Sequence, residues 1–309
     1  PAPARESYLV IEKILGAARR TGCDAIHPGY GFLAESAEFA KQVAAAGIIF
    51  IGPPPECIAA MGSKVRAKEI ARTASVPVLP DAVVTSNGMS DMAEQATHVG
   101  FPLLVKASAG GGGRGIRLVE SVDGLADAVQ AAQREAQSAF ADSTVFLERF
   151  LPRPRHIEVQ IFGDQHGNVV HLGDRECSVQ RRHQKLVEEC PAPAVALPLR
   201  EEMCAAALQL AKSIGYVGAG TCEFLVEDDE FYFLEMNTRL QVEHTVTEQV
   251  TGIDLVALQL DVAAGTALPF SQADIAFHGH AIQVRVCAEN PSAGWAPTTG
   301  RVHRYHHPN

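Results

Sequence analysis

Residues 101–119 read Phe-Pro-Leu-Leu-Val-Lys-Ala-Ser-Ala-Gly-Gly-Gly-Gly-Arg-Gly-Ile-Arg-Leu-Val. Gly110, Gly112 and Gly115 satisfy the spacing Gly-x-Gly-x-x-Gly, but a dinucleotide-binding turn of that spacing must open a helix. Here the run Ile116 to Val119 follows the glycines and the apolar run Phe101 to Val105 precedes them, so the segment reads as strand, glycine loop, strand. No Gly-Lys-Ser/Thr closes the loop, which separates it from a Walker A turn. A hairpin with a glycine tip can fold over phosphates and offer them backbone N–H groups. Lys106 ends the first strand. It either snorkels to water or neutralises a phosphate, and the adjacent glycine lid favours the phosphate.

Working outward, the 309 residues suggest about two domains. With 26 Lys+Arg against 36 Asp+Glu the net charge is −10, with 47% hydrophobic and 20% charged residues. Those proportions describe a core-forming chain and exclude a disordered one. The acidity argues against a nucleic-acid partner, though not against an anionic ligand held by a local field. No apolar run is long enough to span a membrane and no signal peptide is visible, so no membrane partner is expected. Seven cysteines, at 23, 57, 177, 190, 204, 222 and 287, form no Cys-x-x-Cys pair and read as reduced thiols in the cytoplasm. The first residue is Pro, which suggests a piece of a longer chain.

Residues 1–55 alternate helical and strand signals (helices over 7–20 and 36–46, strands at 25–26 and 48–51), the pattern of a partial, doubly wound α/β layer. The opening strand of such a layer is not in the sequence. Its absence would bare a sheet edge and make the piece poorly soluble when expressed alone. Residues 56–77 form a helical linker. Residues 78–150 read as a compact α+β module, with strands at 82–85, 101–107, 115–119 and 144–149 around one helix at 122–138. From 151 to 309 strand signals dominate (155–162, 168–173, 219–226, 230–236, 280–287), interrupted by helices at 200–214 and 252–264. The fold class expected is therefore mixed α/β and α+β.

Five further groups carry chemistry. Ser63 can cap a helix that begins near Lys64. That places Lys64, Arg66 and Lys68 near a positive helix end, where a bound anion would relieve them. Cys222 to Val226 and Phe231 to Asn237 read as a hairpin around Glu227-Asp228-Asp229-Glu230. Glu235 and Asn237 share a face. Glu223 joins them if the connecting loop has an odd number of residues, whereas a two-residue turn would put Glu223 and Glu235 on opposite faces. In the first case two carboxylates and an amide form an all-oxygen set suited to Mg²⁺ or Mn²⁺. Phe231 and Phe233 are expected on the face of Glu235, where a carboxylate needs a partner. Arg239, Gln241 and Glu243 alternate, so an extended chain would point all three one way: an Arg for a small oxyanion and a carboxylate as a base, or an ordinary salt bridge. Gln180 to Lys185 is a local basic cluster in which His183 and Lys185 share a face if extended. In His280 to Cys287, Ile282, Val284 and Val286 are expected to face a core and Gln283 and Arg285 to face away. The histidines at 278, 280, 303, 306 and 307 lack the carboxylate or thiol spacing of a zinc site.

With these residues assembled, the sequence closely resembles the biotin carboxylase component of biotin-dependent acyl-CoA carboxylases, an ATP-grasp family. The matching stretches are HPGYGFLAE (27–35), MGSK (61–64), VKASAGGGGRGIR (105–117), LERFL (147–151), RHIEVQ (155–160), DRECSVQRRHQKLVEECPAP (174–193), EFYFLEMNTRLQVEH (230–244) and VRVCAENP (284–291). They cover nearly the whole chain in family order. The resemblance implies an ATP-grasp fold: a partial N-terminal α/β domain (1–55), the linker (56–77), a lid (78–150) and an incomplete antiparallel-rich C-terminal domain (151–309). It implies ATP binding by Lys64, Lys106, Gly112, Gly113, His156 and His183, with adenine against Glu148, Arg149, Phe150 and Leu151. Glu223, Glu235 and Asn237 would hold Mg²⁺ or Mn²⁺. Lys185, Arg239 and the backbone of Val242 would hold bicarbonate, Glu243 would deprotonate it, and Arg285 would stabilise a biotin enolate.

The implied activity is ATP- and bicarbonate-dependent carboxylation of biotin through carboxyphosphate. The biotin would ride on a carrier protein or domain, because no Met-Lys-Met attachment site is present. A carboxyltransferase subunit would be a further partner, and the full-length protein would be a homo-oligomer. One departure stands out: the family's usual Glu-His-Pro-Val-Thr-Glu has Thr245 in place of the proline. The readings that compete are another carboxyphosphate-forming ATP-grasp ligase, such as the carbamoyl-phosphate synthetase large chain, and a nucleotide-binding piece inactive by truncation.

Overall fold

The computed structural model describes residues 2–84, 89–108, 116–182, 184–304 and 306. The expectations placed on Gly112, Gly113 and His183 lie outside the described residues.

The first 50 residues supply helix α1 (Ile11–Thr21), strand β1 (Ala25–Ile26), helix α2 (Ala37–Ala45) and strand β2 (Ile49–Phe50). The two strands run parallel, Ala25 opposite Ile49. Ser36 accepts a hydrogen bond from the Phe39 N–H and starts α2, whose Phe39 and Val43 pack on Leu15 and Ala18 of α1. The expected helical linker is two helices, α3 (Pro55–Met61) and α4 (Lys64–Thr73), broken at Gly62-Ser63. Ser63 caps α4 as its sequence suggests, accepting from the Arg66 N–H.

The segment expected to form a lid comprises β3 (Asp81–Val83), α5 (Met89–Val99), β4 (Leu103–Ala107), β5 (Arg117–Val119), α6 (Leu125–Phe140) and β6 (Val145–Arg149). Its antiparallel sheet has the order β3-β6-β4-β5. Two helices cover it where the sequence suggested one. The missed helix, α5, packs a narrow stripe, Met92, Ala96 and Val99, against Leu103, Val105 and Leu147. Because strand residues alternate, this core on one face turns Lys106, Phe146 and Glu148 to the other.

The largest sheet is fully antiparallel in the order β11-β10-β7-β8-β9-β12. Its strands are β7 (Arg155–Gly163), β8 (Val169–Arg181), β9 (Gln184–Cys190), β10 (Gly218–Glu227), β11 (Glu230–Asn237) and β12 (Ala281–Val284). Helix α7 (Leu197–Ser213) covers one face and builds a core from Met203, Ala207 and Leu210 with Ile157, Val159, Phe224 and Phe233. Helices α8 (His244–Thr251) and α9 (Leu255–Ala263) pack on the opposite face.

Three expectations for this region are corrected. Strand β8 runs on to Arg181 and pairs with β9, with Gln180 opposite Lys185 and Arg181 opposite Gln184. A separate helix, α8, follows Glu243 directly. And the apolar face of β12 is bare: Ile282, Val284 and Val286 are exposed, while Gln283 and Arg285 face inward. The alternation was legible, but not its direction. β12 is an edge strand, and buried carboxylates on the α8 side draw the polar row in.

Candidate active site

The site lies on the face of the large sheet opposite α7, and a β-bulge creates it. β10 and β11 are joined by the two-residue turn Asp228-Asp229, with Glu227 opposite Glu230 and Phe224 opposite Phe233. Continued unbroken, that register would put Glu223 and Glu235 on opposite faces. The register shifts between Glu223 and Phe224, so Leu234 is the extra residue and Glu223 pairs directly with Glu235. The two-residue turn and the convergence of the carboxylates therefore coexist. The same shift corrects the placement of Phe231 and Phe233. They lie in the α7 core, not on the face of Glu235.

Glu223 is the centre of the polar face. Its Oε1 accepts from Asn237 Nδ2 at 2.8 Å, Gln241 Nε2 at 2.9 Å and Lys185 Nζ at 2.8 Å. Its Oε2 stands 2.7 Å from His156 Nε2. Burial pushes the Glu223 carboxyl up, but His156 and Lys185 outweigh it and hold it well below the usual carboxylate range. The same attraction raises His156 against its own burial. Glu235 differs. Burial and the charge of Glu223 raise its carboxyl, and Lys64 pairs with it at 3.7 Å. Two adjacent carboxylates with an amide, one of them short of positive charge, form a donor set that fits a divalent ion.

Among the described residues, two groups of three have ligand atoms within 4.8 Å of one another, His156–Glu158–Glu223 and Glu158–Cys177–Glu243. Lys185 already serves these carboxylates. Its ammonium bonds Glu158, Glu223 and Glu243, the last at 2.8 Å, and these partners raise its pKa despite burial. The expected alternation of Arg239, Gln241 and Glu243 delivers them to one neighbourhood, although the chain turns into α8 at Glu243. Arg239 is held by Glu35 Oε2 at 2.9 Å and by Asn237 Oδ1 at 2.9 Å. Glu243 lies between two cations, with Oε1 on Lys185 and Oε2 accepting from Arg285 Nη2 at 2.9 Å. Arg285 also donates from Nε to buried Glu188 at 2.6 Å. Thr245 donates to Gln283 Oε1 at 2.5 Å, so the residue in the proline position ties α8 to β12 beside Arg285. Val242 is half-buried, between Gln241 and Glu243.

The lid contributes a second cluster. Lys106 and Lys68 both grip Glu148, and Lys68 also reaches Asp81 at 2.9 Å. Burial lowers the Lys106 ammonium below its ordinary value, against the pull of Glu148. Glu148 is thus occupied through its side chain, whereas Arg149 and Phe150 are fixed through their N–H groups to Pro80 and Pro102 carbonyls at 3.0 and 3.1 Å. Leu151 follows them, half-buried.

Several residues of the site escaped the sequence reading: Glu35, Glu158, Arg175 and Glu188. Glu158 and Arg175 sit inside quoted motifs, and a charged residue inside an apolar strand is the signal that could have marked them.

Residues 63–271 match the family model "Carbamoyl-phosphate synthase L chain, ATP binding domain", and residues 1–58 match "Biotin carboxylase, N-terminal domain". The biotin carboxylase of Haemophilus influenzae is 49% identical over 310 residues, covering 100% of this chain and 69% of that protein. The chain belongs to the biotin carboxylase family. The mitochondrial methylcrotonoyl-CoA carboxylase subunit alpha of Dictyostelium discoideum is 50% identical over 303 residues, covering 98% of this chain and 43% of that subunit. The chain thus spans under half the length of that subunit. Among solved structures, a biotin carboxylase–β,γ-ATP complex from Campylobacter jejuni is similar with a TM-score of 0.92 and 47% identity, over 100% of this chain and 69% of that one. The biotin carboxylase domain dimer of Hydrogenobacter thermophilus 2-oxoglutarate carboxylase, in complex with MgADP, ADP and bicarbonate, has a TM-score of 0.92 and 45% identity, over 98% of this chain and 67% of that one. The fold is the mixed α/β ATP-grasp arrangement of this family.

Proposed function

We propose that the chain is the nucleotide- and bicarbonate-handling part of a biotin-dependent carboxylase that carboxylates biotin on a carrier protein. The observation that carries this reading is the bulge-driven pairing of Glu223 with Glu235 beside the Lys185–Glu243–Arg285 ion cluster. Lys64, Lys106 and His156 bind ATP, together with Gly112, Gly113 and His183, and adenine rests against the 148–151 segment. Glu223, Glu235 and Asn237 hold Mg²⁺ or Mn²⁺, which supplies charge neutralisation at the transferring phosphate. Lys185, Arg239 and the Val242 backbone hold bicarbonate.

Glu243 takes the bicarbonate proton, and the carbonate oxygen attacks the γ-phosphorus. ADP leaves and carboxyphosphate forms. Phosphoryl transfer needs positioning and neutralisation more than a protein nucleophile, which suits a site made of cations and carboxylates. Carboxyphosphate breaks to CO₂ and phosphate, the phosphate removes the biotin N1 proton, and the enolate, steadied by Arg285, captures CO₂. The glycine hairpin over the phosphates would keep water from the labile intermediate.

The division at 55, 77 and 150 separates the N-terminal unit, linker, lid and catalytic domain. The working protein is cytoplasmic and homo-oligomeric, and its partners are a biotin carrier and a carboxyltransferase. No helix among the described residues is long and apolar enough to cross a membrane. The test is ATP hydrolysis by the complete chain with and without bicarbonate and free biotin. Hydrolysis that requires bicarbonate and is stimulated by biotin is expected. Hydrolysis indifferent to biotin would favour a ligase of the carbamoyl-phosphate synthetase kind.

A further inference from the structure

Arg175 stands outside every role described above, yet it is the most heavily bonded side chain near the site. It is fully buried on β8, as are Glu158, Gln160, Thr221 and Thr247 around it. Nε donates to Glu158 Oε1 at 2.6 Å, Nη1 to Gln160 Oε1 at 2.7 Å and Thr247 Oγ1 at 2.9 Å, and Nη2 to Gln241 Oε1 at 2.9 Å and Thr221 Oγ1 at 3.4 Å. One guanidinium therefore ties together β7, β8, β10, the segment before α8, and α8 itself.

The geometry points to Arg175 as a positioning residue that orients two of the three carboxylates meeting Lys185, Glu158 and Glu223. A guanidinium only donates. The Gln241 amide must turn its oxygen to Arg175, which leaves its nitrogen to donate to Glu223 Oε1 at 2.9 Å. The Glu158 carboxylate is pinned by Oε1, which leaves Oε2 for Lys185. Arg175 thus fixes Glu223 through Gln241, and Lys185 through Glu158, without touching either. A lysine in its place keeps the charge but loses the planar fork that sets both orientations. This inference rests on the reading of Lys185 and Glu223 as bicarbonate and metal groups.

The test uses the complete chain and three variants: Arg175→Lys, Thr247→Val and Thr247→Ser. Thr247→Val removes one anchor of the guanidinium with little change of volume and lies away from the reactants. Removing a partner that orients a ligand typically costs about 10–100-fold. We expect Thr247→Val to raise the bicarbonate KM about tenfold and Arg175→Lys to lower bicarbonate kcat/KM about a hundredfold. Affinity for ADP measured without divalent ion should stay within about twofold, and Thr247→Ser should restore the wild-type KM. Unchanged bicarbonate KM in Thr247→Val, or parallel loss of metal-free ADP binding, overturns the proposal even where Arg175→Lys fails to fold. If wild-type turnover does not depend on bicarbonate, the functional reading itself fails and takes this inference with it.

Discussion

Replacing Lys68 by Met should loosen the lid from the linker. Lys68 leaves α4, is 3% exposed, and lies 5.0 Å from the centre of the Phe146 ring. Its ammonium is the only charge from α4 that bonds both Glu148 of β6 and Asp81 of β3, among the described residues. Met keeps the length of the stem and deletes the ammonium. Removing one partner of a buried pair costs about 3–5 kcal/mol when the other charge is left alone. Here neither carboxylate is abandoned: Glu148 keeps Lys106 and Asp81 keeps Arg72. The loss is then one to two charge-assisted hydrogen bonds, so about 2–4 kcal/mol is expected.

The assay is a double-mutant cycle on lid stability, followed by hydrogen exchange across β3, β4 and β6. Its corners are the wild type, Lys68→Met, Glu148→Gln and the double variant. A coupling of about 1–3 kcal/mol is expected, because the two groups share one network. A single-variant cost below about 0.5 kcal/mol, the scale of an ordinary surface substitution, together with an additive cycle would refute the reasoning.

Deleting Leu234 should remove the bulge and leave Glu235 directly opposite Glu223 in a regular ladder, so the Mg²⁺ dependence of nucleotide binding should survive; its loss by calorimetry would contradict the reading of Leu234 as the extra residue. Glu243→Gln should lose most bicarbonate-dependent turnover, about a hundredfold or more for a positioned base, while ATP affinity measured at equilibrium changes little. Acid should release the lid. Burial pushes the Glu148 carboxyl up, but Lys106 and Lys68 outweigh it and hold it below its ordinary 4.5. A depressed folded value means the contribution is complete above that pH and lost as pH falls through the folded value. Exchange protection of β4 and β6 should therefore fall only below about pH 4.5, and at a higher pH in Lys68→Met than in the wild type.

What could be read from the sequence was what period and punctuation encode. Alternation in 222–226 and 231–237 gave the hairpin, and Ser63 marked the start of α4. The parallel pairing of Ala25-Ile26 with Ile49-Phe50 followed from strands alternating with helices. What could not be read was any feature set by an extra residue or a distant partner. Nothing in Phe-Tyr-Phe-Leu-Glu announces that Leu234 is skipped by the ladder, yet that skip decides whether two carboxylates meet. Nor does the row Ile282, Val284, Val286 say that its polar neighbours face inward, because the attraction comes from Glu188 and Glu243, about 95 and 40 residues earlier in the chain. Arg175 is the sharpest case. Read along β8 it is one charge among several, and only the meeting of Glu158, Gln160, Thr221, Gln241 and Thr247 around it makes burial of a guanidinium tolerable. The local code therefore placed the reacting groups near one another, and long-range charge pairing aimed them. Substitutions that preserve strand and helix propensity but break such pairing should spare the fold's outline and fail in bicarbonate handling.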